Sequence, residues 1–271
     1  MRVEKALILA SKELQKFDRP RLEAEILLSH HLNCDRVQLL LKSDEELDSF
    51  EEFWELVQRR ASFEPIEYIT GRVSFYSEEF FIQKGALIPR PETELLIDEA
   101  SRLIEKFEIK TIAEIGVGSG VISIILAKKF PNLKIVATDI SQDALEVAKK
   151  NISFHQVSNQ IKLINSSLLD EVEEDIELIV SNPPYISKDV TLEPNVLNFE
   201  PKEALFADDE GTKLLKEITV LGIKRGVRGV VCEMGYDQKE KMDSFFASLK
   251  VREFGFYKDL ASLDRGFWLI P

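Results

Sequence analysis

Glu114-Ile115-Gly116-Val117-Gly118-Ser119-Gly120 joins a short apolar strand, Thr111 to Ile115, to an apolar helix from Val121 to Phe130. Alternate glycines let the backbone turn tightly and approach a ligand closely, because no Cβ stands in the way. In an open α/β sheet this strand-to-helix junction is where ligands bind. The spacing is Gly-x-Gly-x-Gly, and Val121 occupies the place where a dinucleotide fingerprint carries its third glycine. That counts against a pyrophosphate-binding dehydrogenase.

Downstream of this loop, apolar strands and helical periods alternate. Strands are expected at Lys134 to Asp139, Gln160 to Ile164, Glu177 to Val180 and Val227 to Glu233, and helices at Gln142 to Phe154, Thr212 to Lys224 and Gln238 to Leu249. The pattern predicts an α/β fold with a doubly wound, mostly parallel sheet and helices on both faces. Two closing strands, Val251 to Tyr257 and Gly266 to Ile270, have no helix between them. They should be antiparallel, with the last one inserted beside the parallel strands.

Upstream, residues 2–62 carry apolar side chains at three- and four-residue spacing, as in Ala6, Leu7, Ala10 and Leu14. Pro20 marks a first helical turn, and Ser43 with Glu46 has capping-box spacing before the run through Phe53 and Trp54. About four short helices are expected. The stretch from Ile66 to Ile88 is rich in β-branched and aromatic residues and reads as a β-hairpin joining two domains. Pro89-Arg90-Pro91 then punctuates the chain, and Glu92, Thr93 and Glu94 open a helix to about Phe107. The expected division is a helical domain over 1–65, a hairpin connection over 66–86 and a larger α/β domain over 87–271.

Composition narrows the function classes. Apolar residues make up 44% and charged residues 31%, enough to fill a core and cover it. The 35 Lys and Arg against 48 Asp and Glu leave a net charge of −13. This is a poor basis for affinity that must come from neutralising phosphates, so no direct nucleic-acid substrate is expected and a basic protein partner is favoured. Cys34 and Cys232 form no metal-binding or disulfide pattern, and no apolar stretch approaches the length of a membrane span. Ala6 to Ala10 is too short for a signal-peptide core. A cytoplasmic protein, with no membrane association, is expected.

Asp139 closes the strand after the glycine loop, about 20 residues on, where a carboxylate can accept hydrogen bonds from both hydroxyls of a ribose. Glu114 places a second acid near the loop. Acids at both points suit a cationic ligand better than a polyphosphate. S-adenosyl-L-methionine, with its sulfonium and amino groups, is the expected cofactor.

Glu177 to Val180 is followed by Ser181-Asn182-Pro183-Pro184-Tyr185. Consecutive prolines fix φ and remove two N–H donors, which leaves nearby carbonyls without local partners. Such a site can hold an –NH₂ group by both hydrogens, using the Asn182 side-chain oxygen and a backbone carbonyl of the proline pair. The nitrogen lone pair then faces a methyl donor, and Tyr185 can cover a planar group. Asn-Pro-Pro is also a competent turn needing no chemistry. Its place at a strand's carboxyl end, after the glycine loop and an acid, favours the chemical reading. His30, His31 and His155 are not spaced as metal ligands, and no metal is expected.

With these residues in view, the sequence resembles the protein-(glutamine-N5) methyltransferases of the HemK/PrmC type, which modify the glutamine of the Gly-Gly-Gln motif in peptide chain release factors. The resemblance covers nearly the whole chain. It includes Glu23-Ala24-Glu25-Ile26-Leu27-Leu28, Pro65-Ile66-Glu67-Tyr68-Ile69-Thr70-Gly71 and Ile88-Pro89-Arg90-Pro91-Glu92-Thr93-Glu94. Glu114 to Gly120, Asp139, Asn182 to Tyr185, Glu200-Pro201 and Ala204-Leu205-Phe206 complete it. Asn-Pro-Pro-Tyr is shared with adenine and guanine N-methyltransferases and marks chemistry; Pro-Arg-Pro-Glu-Thr-Glu and Tyr-Ile-Thr-Gly are far more specific to this family.

The resemblance implies a Rossmann-like class I methyltransferase sheet with a helical substrate-docking domain, acting in translation termination as a monomer. It implies that Gly116, Val117, Gly118, Ser119, Gly120, Asp139, Ser167 and Asn182 hold S-adenosyl-L-methionine, with S-adenosyl-L-homocysteine as product. Asn182, Pro183, Pro184 and Tyr185 would hold the substrate amide, with Asn182, Pro183 and Tyr185 in the catalytic role. Two positions depart from the family pattern. Ser166 and Ser167 stand where Asp and an aromatic or leucine usually meet the adenine, and Met234 replaces a more polar residue. Two other readings stay open: an adenine or guanine amino-group methyltransferase, which needs a flipped or unpaired base and a basic channel, and a scaffold that binds cofactor and partner without turnover.

Overall fold

The computed structural model describes residues 1–271, which form two compact units. The first comprises Met1–Arg72 and Leu192–Phe199; the second comprises Val73–Thr191 and Glu200–Pro271.

Five helices build most of the first unit: α1 (Val3–Glu13), α2 (Pro20–His31), α3 (Arg36–Leu41), α4 (Phe50–Ala61) and α5 (Ile66–Thr70). Their apolar stripes meet in a core of Leu7, Leu14, Leu27, Leu28, Phe53 and Val57. Arg60 is buried there, with its guanidinium over the Phe17 ring at 3.7 Å and hydrogen-bonded to Glu23. Pro20 does open α2, where a missing N–H costs nothing.

Two local expectations fail. Ser43 and Glu46 do not start a helix; α4 begins at Phe50. The backbone carbonyls of Ser43 and Glu45 instead accept the N–H groups of Glu4 and Val3, which the first turn of α1 leaves without partners. The capping box belongs to Asp35 and Gln38, which exchange backbone-to-side-chain bonds of 2.7 and 3.0 Å at the start of α3. Ile66–Thr70, expected as the opening of the hairpin, is helical. Pro65 sets its entry, Thr70 Oγ1 bonds back to the Ile66 carbonyl, and Gly71 closes it at φ +70°. β-branched content was outweighed by these two ends.

The hairpin is shorter, β1 (Arg72–Phe75) and β2 (Glu78–Phe81), with Phe75 and Phe80 buried in the second unit's core. Next come α6 (Thr93–Phe107), β3 (Thr111–Ile115), α7 (Val121–Lys129), β4 (Lys134–Asp139), α8 (Gln142–Phe154), β5 (Ile161–Asn165) and β6 (Leu178–Ser181). A small parallel pair, β7 (Ile186–Ser187) with β8 (Phe206–Ala207), clamps both ends of the excursion that contains α9 (Pro194–Leu197). The chain closes with α10 (Lys213–Arg225), β9 (Gly229–Glu233), α11 (Lys239–Ala247), β10 (Glu253–Lys258) and β11 (Asp264–Ile270).

Seven strands pair in the order β10-β11-β9-β6-β3-β4-β5. The five strands from β9 through β5 are parallel, and β11 runs antiparallel between β10 and β9, as its helix-free connection requires. This is the Rossmann-like class I methyltransferase sheet. Apolar side chains pack on both faces, with Leu96, Ile97, Ile124 and Ala148 on one and Ile218, Met242 and Phe246 on the other. Strand order reverses at β3, since β4 and β5 lie on one side and β6 and β9 on the other. The carboxyl ends of β3, β4 and β6 therefore border a crevice, the place an open α/β sheet offers a ligand.

Candidate active site

A cavity of about 250 Å³ occupies that crevice. Gly116, Val117, Gly118 and Ser119 from the β3–α7 loop form one wall, Asp139 and Ser167 from the ends of β4 and β5 a second, and Asn182, Pro183 and Pro184 after β6 a third. Gly120 and Tyr185, also expected at the site, do not line it. Gly120 has φ +85° and a Cβ there would press on Ala148, so its work is the turn into α7 and helix packing. Gly116 and Gly118, at φ +75° and +53°, face open space, the arrangement a close-approaching ligand needs.

Asp139 holds this loop in shape. Its Oδ2 accepts the Gly118 N–H and its Oδ1 the Ser141 N–H, both at 2.9 Å. Asn151 of α8 ties the loop to the hairpin by donating to the carbonyls of Ser119, at 2.8 Å, and Phe81, at 2.9 Å.

Glu114 differs from its expected role as a second negative charge. It is wholly buried, and burial pushes its carboxyl up to about 8, against the opposing pull of hydrogen bonds from the Ser123 amide and hydroxyl. At neutral pH it is mainly protonated. Its Oε1 is buried without a partner beside the cavity and becomes an acceptor for an ammonium group once the carboxyl proton leaves. S-adenosyl-L-methionine thus fits the residues present: glycine backbone left open, a carboxylate at Asp139 and an orphaned acceptor at Glu114.

On the opposite wall, Asn182 Nδ2 donates to Thr93 Oγ1 at 3.1 Å, so the side-chain oxygen of Asn182 is the atom left for an incoming donor. Thr93 is the first residue of α6 and is buried. Arg90 and the Ile88 amide both bond the buried Glu200 carboxylate, which pins the start of the Pro-Arg-Pro-Glu-Thr-Glu segment. Tyr185 donates its hydroxyl to Glu233 Oε1 at 2.9 Å and accepts, on its backbone carbonyl, the Gln238 side-chain N–H at 2.7 Å. Burial raises the Glu233 carboxyl to about 7 and the Tyr185 hydroxyl well above the usual phenol range.

Sequence reasoning saw Thr93 as a helix opener and did not place Glu233, Gln238 or Ile140 at the site. Ile140 is a large apolar side chain left 65% exposed at the cavity rim, next to Asp139. An acid ending a buried strand, as Glu233 does, was the available signal. Met234 is fully buried in the apolar layer, which accounts for an apolar residue there. His30 is exposed on α2, His31 meets Ser49 at 2.6 Å, and His155 contacts the Glu79 carbonyl at 3.0 Å. No helix is long and apolar enough to cross a membrane.

Comparison with known proteins agrees with this architecture. Residues 5–71 match the PrmC N-terminal domain and residues 93–199 the methyltransferase small domain. A bifunctional methyltransferase of Rickettsia typhi is 37% identical over 99% of this chain, which spans only 57% of that longer relative. The release factor glutamine methyltransferase of Chlorobaculum tepidum is 35% identical, with 93% of this chain and 90% of that protein aligned. Among solved structures, the hMettl16 catalytic domain, in complex with MAT2A 3'UTR hairpin 6, superposes with a TM-score of 0.58 at 17% identity, over 70% of this chain and 74% of that one. That likeness concerns the fold alone. With sequence similarity running through both units and over 90% of the Chlorobaculum tepidum relative, the chain belongs to the release factor glutamine methyltransferase family.

Proposed function

We propose that this chain transfers a methyl group from S-adenosyl-L-methionine to the side-chain amide nitrogen, N5, of the glutamine in the Gly-Gly-Gln motif of peptide chain release factors. The observation that carries this reading is the Asn182–Thr93 hydrogen bond, which engages the amide nitrogen and leaves the amide oxygen of a cavity-lining residue for an incoming donor, beside a glycine loop suited to the cofactor.

Gly116 to Ser119 would lie against the cofactor, Asp139 would accept from its ribose, and Glu114 Oε1 would take its ammonium. Ser167 offers a polar edge for the adenine, and Ile140 and Leu168 offer apolar faces. When bound, S-adenosyl-L-methionine supplies a methyl carbon on a positive sulfur and leaves as neutral S-adenosyl-L-homocysteine.

A glutamine amide is a weak nucleophile because its lone pair is delocalised. Asn182 Oδ1 and a carbonyl of the Pro183-Pro184 pair would accept both of its hydrogens, aim the lone pair, and stabilise the positive charge that grows on nitrogen. The proton lost from nitrogen passes along one of these bonds toward solvent. Oriented groups reach effective molarities of ~10⁵ to 10⁸ M, so alignment alone can remove ~7 kcal/mol or more of the barrier. No step calls on a metal. The helical region, residues 1–65, would dock the release factor, and residues 87–271 would perform the transfer in the cytoplasm.

The test is incubation with radiolabelled cofactor and either purified release factor or a mixture of tRNA, rRNA and DNA. Label in the release factor, absent after Gln→Ala change in its Gly-Gly-Gln motif, is the expected result. Label in nucleic acid alone would overturn the substrate assignment.

A further inference from the structure

Asn151 lies wholly buried on α8, with both ends of its side-chain amide engaged. Its Oδ1 accepts the Phe81 N–H at 2.7 Å, while Nδ2 donates to the Phe81 carbonyl at 2.9 Å and to the Ser119 carbonyl at 2.8 Å. Turning the amide over would set its nitrogen against an N–H and its oxygen against carbonyls, so these partners fix its orientation. One side chain thus pairs with both backbone groups at the end of β2, as a neighbouring strand would. Its remaining hydrogen holds the glycine loop.

Both backbone stretches joined in this way lead to walls of the cavity. Ser119 lines it directly, beside Gly116, Val117 and Gly118. Phe81 does not, but the chain that leaves it returns as Gly85, Ala86, Leu87 and Pro89, which do. This strap is fastened again downstream. Gly85, at φ +98°, runs so close to α8 that a Cβ would stand 2.7 Å from the Asp143 Cβ, and the Ile88 N–H bonds Glu200. Asp143 and Asn151 belong to the same helix. That helix therefore carries fixed points of the strap, and Asn151 extends the fixing to the glycine loop.

We propose that Asn151 is a positioning residue for the cofactor, holding the glycine loop and the strap from Gly85 to Pro89 in register by bonding Ser119 and Phe81 at once. It does not line the cavity; it acts through the backbone of its partners. With both walls held, a ligand meets a site already in shape. With the tie cut, binding must first order two segments, which weakens affinity but leaves the reacting groups in place once the site is full. The inference rests on the proposed cofactor, while the tie between the walls is a property of the chain alone.

The full chain is compared with Asn151→Ala, Asn151→Asp and Ile152→Val. Asn151→Asp keeps an oxygen for the Phe81 N–H and offers no N–H to either carbonyl. Ile152→Val trims a buried apolar side chain one position along the helix and serves as the stability control. The readouts are calorimetric Kd for S-adenosyl-L-homocysteine, cofactor KM and kcat in release-factor methylation, and amide exchange by NMR. Both Asn151 variants should raise Kd and KM about tenfold or more, the worth of one or two hydrogen bonds, with kcat at saturating cofactor within about threefold. The Gly118 and Ala86 amides should exchange faster in both, although their acceptors, the Asp139 carboxylate and the Gln83 carbonyl, are untouched. Ile152→Val should bind the ligand within about threefold of the wild type, since it removes one methylene and no hydrogen bond. In the wild type, S-adenosyl-L-homocysteine should slow exchange of the Phe81 amide, which lies outside the cavity, more than that of Val73 on β1.

Unchanged affinity in either Asn151 variant, a fall in kcat as large as the loss of affinity, faster exchange confined to one wall, or an equal loss of affinity in Ile152→Val would overturn the proposal. If neither Asn151 variant folds, the wild type still decides: a Phe81 amide that does not respond to the ligand refutes the tie. Should the wild type bind no S-adenosyl-L-homocysteine, the cofactor reading fails on its own, and exchange at Gly118 and Ala86 in the variants still judges Asn151.

Discussion

Asp139 Oδ2 accepts the Gly118 N–H at 2.9 Å, so the acid expected to hold a ribose also braces the glycine loop beside it. Its other oxygen is likewise engaged, by Ser141 at the start of α8. Each carboxylate oxygen has a second lone pair free for a ribose hydroxyl. Replacing Asp139 with Ala therefore removes both ligand bonds and the brace. Cofactor affinity should fall by ~1 to 3 kcal/mol. Calorimetric titration with S-adenosyl-L-homocysteine measures this, and an unchanged Kd would reject the assignment.

Glu114 supplies a pH signature. Its ordinary carboxyl value is 4.5 and burial raises it to about 8 in the folded chain. Between those values the folded state holds more protons than the unfolded one, so stability falls as pH rises across that window. The group's contribution is complete below 4.5 and lost above about 8. Glu114→Gln, a neutral isostere, should abolish this slope and melt higher than the wild type at pH 9, a pH above the about 8 of the folded carboxyl. Thermal melts of both proteins between pH 6 and 9, spanning the about 8 of that carboxyl, check it; parallel curves would count against the burial argument. Binding a cationic amine should also drive the proton off. Calorimetry at pH 7, below the about 8 of the free carboxyl, in two buffers of unlike ionisation enthalpy, reads that release.

The sheet was legible because its signal is periodic. Runs such as Ile135, Val136 and Ala137 are apolar on both faces, as buried parallel strands must be, and turn residues bound them. The glycine loop and the Asn-Pro-Pro-Tyr turn were legible because backbone chemistry dictates residue type there. Thr93, Glu233 and Gln238 were not, since each meets its partner only through the tertiary fold; nothing local links Glu233 to Tyr185, 48 residues apart in sequence. The same holds for Ser43, whose carbonyl completes α1 from a distant turn. Local rules saw a capping box at Ser43 where a long-range backbone bond was the stronger demand. At Ile66 the opposite occurred: flanking Pro65 and Gly71 were the better guides than side-chain type.

Arg60 should carry much of the first unit's stability. It is 8% exposed, paired with Glu23, bonded to the Glu64 carbonyl at 3.1 Å and stacked on Phe17. Removing it strands the Glu23 carboxylate and opens a void under the ring. Arg60→Ala should cost ~3 kcal/mol or more, the usual price of breaking a buried pair. The chain has two tryptophans, so in a Trp268→Phe background urea unfolding followed by Trp54 fluorescence isolates this unit. A midpoint unmoved by Arg60→Ala would show the pair to be solvated.

Gly211 lies outside every motif yet sits against the backbone of the proposed catalytic turn. A Cβ at this position would fall 2.0 Å from the Tyr185 carbonyl oxygen and 2.3 Å from the Gln238 side-chain nitrogen, and φ is +84°. Gln238 bonds that same carbonyl, so Gly211, Gln238 and Tyr185 form one close-packed support. Alanine at 211 must push Tyr185 aside or break the Gln238 bond, in addition to a left-handed strain of ~1 kcal/mol or more. Since the glycine loop and Asp139 are untouched, cofactor affinity should stay within about threefold while kcat falls about a hundredfold, in line with the penalty for a misplacement near 1 Å. Gln238→Ala should produce a milder loss of the same kind, because it removes the bond without forcing a clash. Steady-state kinetics paired with cofactor titration separates the two effects. A Gly211→Ala variant that turns over normally, or one whose loss lies entirely in cofactor binding, would break the link drawn between this loop and Tyr185.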